Sequence, residues 1–199
     1  MKMNFRLLLV SAAFLLAACS PSTLPELSET HIFADFGFSI DYPPGWSATT
    51  EGPVSYMAQT ETDFLGRYDF KRKVEGILIS LDHRSIDFLR TIGFTADPPT
   101  LDELFAFNIG ELTGMTNPGI SEATIFGVPA LRSEYYETNW EISYAGLIGD
   151  EAFFFFIAAP SEEMLEEFKP TMEAMISSIR PITGEGSPLD YLLGSQKTN

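Results

Sequence analysis

The sequence predicts an α+β fold, an antiparallel β-sheet of about six or seven strands sandwiched between helices. Three observations predict it. Four strand-like runs follow one another between residues 121 and 159 with gaps far too short for a parallel return, which needs a crossover of about a dozen residues. One of them, 152–159, is apolar on both faces and so must be covered on both. Two amphipathic helical patterns flank the block and supply that cover. At 199 residues, with 45% hydrophobic, 13% aromatic and 20% charged, the chain has the size and composition of one domain with tails. Disorder, coiled coil and collagen are ruled out on the same figures. The formal net charge of -16, from 12 basic against 28 acidic residues, excludes nucleic acid as a partner.

The chain opens with the three parts of a secretory signal over residues 1–18. Lys2 and Arg6 make the charged start, 7–18 the apolar run, and small residues precede a cleavage point. As a helix, that run reaches roughly 18 Å, well short of the ~30 Å hydrocarbon layer, so it is not a spanning anchor. It ends in Leu16-Ala17-Ala18-Cys19, which holds the only cysteine of the chain. This is similar to a bacterial lipobox, in which Cys19 receives a diacylglycerol thioether and becomes the new N-terminus after cleavage behind Ala18. Cys19 could instead be one small apolar residue of the signal, but the charged start, the run length and the spacing agree with lipidation. Each buried methylene of a lipid contributes about 0.8 kcal/mol, and two chains suffice for stable anchoring. Without Lys2 and Arg6 the mature chain is more acidic still, so anionic head groups repel it and the lipid alone must hold it. No cysteine remains for a disulfide.

Residues 19–31 read as the lipidated Cys19 and a flexible spacer rich in Ser, Thr, Pro and Glu. The domain is expected over 32–180, followed by a flexible tail over 181–199. Within the domain, 36–42 alternates large apolar with small or polar residues until Pro43-Pro44-Gly45 stops it. Shorter strands are expected at 46–49 and 54–60, and a longer one at 76–84, with a charged, aromatic loop over 64–75. Thr100 caps a helix in which Leu104, Phe105, Ile109 and Leu112 recur at helical spacing up to Gly114. The meander then runs through 121–126, 130–138, 141–148 and 152–159. A last helical stripe comprises Leu165, Phe168, Met172, Met175, Ile176 and Ile179, and Pro170 inside it predicts a kink or a second helix start.

Phe36-Gly37-Phe38-Ser39-Ile40-Asp41-Tyr42-Pro43-Pro44-Gly45-Trp46 is similar to the opening strand, Pro-x-Gly-Trp turn and second strand of the PsbP-like superfamily. Its branches include the extrinsic photosystem II subunit and the nuclear Mog protein. Phe126-Gly127-Val128-Pro129-Ala130 before a strand with Tyr135 and Tyr136, and the closing Met175-Ile176-Ser177-Ser178-Ile179, match as well, so the resemblance covers 36–180. It implies an antiparallel sheet between helices in a small exported bacterial lipoprotein. No residue of this chain matches a photosystem contact, a metal ligand or a Ran contact, so the resemblance implies no site.

Catalytic patterns are absent from the sequence. There is no Gly-x-Ser-x-Gly elbow, P-loop, Gly-x-Gly-x-x-Gly turn, His-Glu-x-x-His or EF-hand loop. His31, His83 and an acylated cysteine are too few soft ligands for zinc. Asp82 and His83, adjacent on a strand, point to opposite faces and do not meet. Glu134 and a cross-strand Glu141 could imitate a glycosidase dyad, but a solvated strand face is the plainer reading. Glu162, Glu163, Glu166 and Glu167 suit a helix N-terminus. Neither a catalytic group, a metal nor a cofactor is expected. Candidate partner-binding residues are Trp46, either a platform or a plug of the core, and Lys71, Arg72 and Lys73, the one basic cluster.

The expected function is that of a membrane-anchored, non-catalytic exported lipoprotein, held at the extracytoplasmic face through its N-terminal lipid, whose domain binds or scaffolds an envelope protein or assembly. The alternative is a cell-envelope hydrolase or small-ligand carrier with a pocket between sheet and helices. Convergent carboxylates of raised pKa in a deep pocket would favour it.

Overall fold

The computed structural model describes residues 26–34, 37–69, 71–112, 119–125 and 127–182, excepting the side chains of residues 109–112 and 181. Its largest unit is a sheet of β3 (Ser47–Glu51), β4 (Val54–Ala58), β5 (Leu78–Ser85), β6 (Gly119–Ile125), β7 (Val128–Tyr136), β8 (Trp140–Ile148) and β9 (Glu151–Ala159). The order is β3-β4-β5-β9-β8-β7-β6, antiparallel throughout. The meander expected from the short gaps is there, and its last strand, β9, pairs with β5 to join both halves of the sheet.

That central place explains the run of phenylalanines. Phe153, Phe155 and Ile157 enter the main core with Ile79, Leu81, Ile142 and Tyr144. On the other face Phe154 packs on Phe105 and Leu131, and Phe156 on Val74 and Leu78. Gly146 lies opposite Phe153, and a Cβ on it would overlap the Phe153 ring. The glycine is what lets that ring lie flat across β8.

Helices cover both faces. After β5 the chain makes α2 (Ile86–Thr91), following the earlier α1 (Glu61–Leu65), and then α3 (Leu101–Leu112), which lies over β7 and β8 and returns the chain to the far edge. Thr100 caps α3 as expected, its hydroxyl accepting from the Glu103 N–H at 3.3 Å. The expected end at Gly114 lies outside the described residues. On the other face α4 (Glu162–Ser177) buries Leu165, Phe168, Met172 and Met175. It is a single helix with Pro170 inside, with no second start. The missing N–H forfeits one helical bond, but the buried stripe seats both halves on one core.

A second, three-stranded sheet differs from the expectation. β1 (Glu29–Phe33) and β10 (Arg180–Pro181) flank β2 (Phe38–Tyr42). Residues 29–31, read from composition as the end of the spacer, pair with Ile40, Asp41 and Tyr42. Polar side chains there find partners that sequence spacing does not reveal. Glu29 accepts from the Gly45 N–H at 3.0 Å, and His31 Nε2 lies 2.9 Å from Thr50 Oγ1 on β3. α1 and α2, of five and six residues, are too short to show a helical period. The former stands at the start of what reads as a loop from 64 to 75.

Candidate functional site

The basic cluster is part of a turn built on a buried acid. Thr60 caps α1, and Asp63, fully buried, accepts the N–H groups of Glu75 and Gly76 at 3.0 and 2.7 Å. It also accepts the Thr60 hydroxyl and Arg72 Nη2, both at 2.8 Å. Burial pushes this carboxyl up, but the two amides, the hydroxyl and the guanidinium together hold it below its ordinary value. Asn139, in the β7–β8 turn, accepts from Val74 N–H at 2.9 Å and donates to the Arg72 carbonyl at 3.1 Å. Arg72 is therefore a structural member of the turn, whereas Lys71 and Lys73 are exposed. The cluster splits into one internal and two external cations. Trp46 is half-buried and stacks on Phe168 against the main core, ring centroids 5.5 Å apart. Nearby, the Arg67 guanidinium lies over the rings of Phe64 and Tyr68 and pairs with Glu51.

The imagined Glu134–Glu141 pair does not form. Glu134 faces Ile142 across the strands and Glu141 faces Tyr135, which puts the two acids on opposite faces of the sheet. On the α4 face Glu134 holds Arg132 Nη2 at 2.7 Å and Lys169 Nζ at 2.9 Å. Partial burial works against its charge, but these two cations keep its pKa below the usual value.

Glu141 was read from the sequence as part of a solvated face, and it is buried instead, 4% exposed. Burial drives its pKa up to about 7; a hydrogen bond with Tyr135 opposes the shift and the charge of Glu137 adds to it. Burial likewise raises the Tyr135 phenol, whose oxygen is 3.1 Å from Ser143 Oγ. Ser133 stands opposite Ser143, and its buried hydroxyl has no hydrogen-bond partner among the described residues. The only hint in the sequence is that Glu141, Ser143 and Ala145 share one face of β8, where small side chains admit a covering helix. The His83 ring turns to Glu151, its Nε2 3.0 Å away, while the Asp82 carboxyl pairs with Arg84 and also takes a hydrogen bond from the His83 backbone; burial lowers the His83 pKa, and the Asp82 charge works against that shift.

Two clefts open beside β6, one on each face of the sheet. The one under α4, about 450 Å³, is lined by Arg132, Tyr144, Lys169, Met172, Glu173 and Ile176 among others. The one beside α3, about 570 Å³, is lined by Leu101, Asp102, Glu122, Pro129 and Leu131. Glu141 lines neither. Among the described residues no three His, Cys, Asp or Glu side chains gather as metal ligands would. Cys19 lies outside the described residues.

No family model matches the chain, and no curated protein matches it in sequence. Solved structures similar to it include cyanobacterial PsbP from Synechocystis, at 13% identity over 83% of this chain and 99% of that one, with a TM-score of 0.46. The Ran-binding protein Mog1p of Saccharomyces cerevisiae is similar at 9% identity over 77% of this chain and 95% of its own, TM-score 0.46. A Bacteroides thetaiotaomicron protein is similar at 15% identity over 81% of this chain, TM-score 0.46; the chain spans 50% of that protein's length.

Proposed function

We propose that the protein is an exported lipoprotein, anchored to the extracytoplasmic face of a membrane through lipid on Cys19, whose folded domain acts by binding or scaffolding an envelope protein or assembly. Lys2, Arg6, the apolar run of 7–18 and Leu16-Ala17-Ala18-Cys19 support the anchor. One observation carries the binding role. The carboxyl poised near neutral pH, Glu141, is enclosed beneath the sheet surface and lines neither cleft, while both clefts open onto the exposed strand β6. The hydrolase alternative needs its acid and its pocket in one place, and among the described residues Glu141 lines neither of these two clefts.

Trp46 and Arg72 belong to the fold in this reading, and Lys71 and Lys73 remain as the exposed cations able to touch a partner. Cross-linking in intact membranes tests it. One reproducible protein adduct is expected, and weakening of that adduct by Lys71→Glu with Lys73→Glu assigns the contact to their loop. The absence of any adduct under all conditions tried contradicts the binding role.

A further inference from the structure

The large sheet ends differently on its two sides. At β3 the small sheet stands alongside, through His31 and Thr50. At β6, among the described residues, β7 is the one paired strand and no backbone hydrogen bond runs outward. Gly119, Ile120, Ser121, Glu122 and Thr124 are exposed, with Ile120 at 56%. Edge strands are ordinarily blunted by charge, proline, bulges or a cover, because their unpaired groups invite another strand. β6 carries one charge, Glu122, in seven residues and no proline.

A single residue tells which of its groups point outward. Thr124 stands opposite Pro129, which has no N–H, so that pair cannot exchange the two bonds of a hydrogen-bonded pair. Alternation then places Ile120 and Glu122, opposite Ser133 and Leu131, in the same class. The N–H and C=O groups of Ile120, Glu122 and Thr124 therefore aim away from β7. A strand laid against them would send successive side chains to opposite faces, one set into each cleft. Beside α3 the carboxylates of Asp102 and Glu122 stand above Leu101, Pro129 and Leu131, a surface suited to the alkyl stem and cationic head of Lys or Arg. Under α4, Arg132 and Lys169 are already held by Glu134, so that cleft offers Met172, Ile176 and Tyr144 to an apolar side chain.

We propose that β6 is the docking edge for an extended segment of a partner protein, basic at alternate positions and apolar between, which adds to the sheet as an eighth strand. This rests on the reading of the protein as a binding module and names the site and the chemistry of its partner. A second copy of the chain is the wrong occupant, since it would bring Glu122 and a net charge of -16 against their like.

The test uses the full chain in detergent micelles and two labelled nine-residue peptides. One alternates Lys and Val; the other has the same sequence but is N-methylated on the backbone of two adjacent central residues, one Lys and one Val, which removes an edge-facing N–H whichever way the added strand runs. The unmethylated peptide should bind at least about tenfold tighter, and Glu122→Pro, which removes no bond to β7, should erase that advantage. Amide exchange at Ile120, Glu122 and Thr124 should slow when the peptide binds to the unaltered chain, a readout that stands even if the variant does not fold. Equal binding of the two peptides overturns the proposal. So does protection that maps elsewhere, for instance around Lys71 and Lys73, which would leave the binding role intact and remove only this site. A dimer abolished by Glu122→Pro overturns it in favour of a second copy.

Discussion

Glu141 and Asp63 are both buried carboxyls, and their surroundings drive them in opposite directions. Asp63 has two amides, a hydroxyl and a guanidinium aimed at it, so it is held ionised. Glu141 is buried beside the like charge of Glu137, and its hydrogen bonds with Tyr135 and Asn139 only partly offset these, so it keeps its proton up to about pH 7, against an ordinary value of 4.5. Between those two values the native state binds a proton that the unfolded chain releases. Stability from this group is therefore complete below the unfolded value and is lost as the pH rises through about 7. The full effect is on the order of 3 kcal/mol. Urea unfolding at pH 5 and pH 8 should show the wild type losing roughly that much relative to Glu141→Gln; a difference between the two proteins that does not change with pH contradicts the assignment. For Asp63 the prediction concerns its cation. Arg72→Ala should destabilise by about 1–3 kcal/mol by removing a hydrogen bond to a buried charge, while Lys71→Ala and Lys73→Ala stay within about 0.5 kcal/mol. Equal effects at all three positions in thermal melts would show that Arg72 is no more structural than its neighbours.

At the scale of elements, how readable each piece was depended on its length and on how local its cause is. The meander β6–β9 was legible because Gly127, Asn139 and Gly149 punctuate it and the gaps forbid any parallel return. α3 was legible from Thr100 and the spacing of Leu104 and Phe105. β1 was not, because what pairs it is contact with β2 and with Thr50, distant or unpatterned in sequence. Glu141 was missed for a similar reason. Strand alternation says which residues share a face, but it does not say which face α3 will cover. The β8–β9 pair gives its own prediction: Gly146→Ala puts a methyl into the Phe153 ring at the middle of the sheet. Overpacking there should cost about 1–3 kcal/mol in denaturant unfolding, and an unchanged midpoint would mean that the ring is free to move aside.

For the whole molecule, the chain is strongly acidic, a small three-stranded sheet ties the start of the domain to its end, and among the described residues β6 pairs on one side only. Arg180 reaches both Asp41 oxygens, at 2.6 and 2.8 Å, so the strand after α4 is clipped to β2, the central strand of the small sheet. Cys19→Ser should leave the precursor uncleaved and unlabelled by radioactive fatty acid. The most direct measurement is mass spectrometry of the native N-terminal peptide from a membrane fraction. It should begin at Cys19 with diacylglycerol on sulfur; a peptide that retains Met1, with a free thiol at Cys19, on protein recovered from the cell interior would contradict the anchored, exported reading.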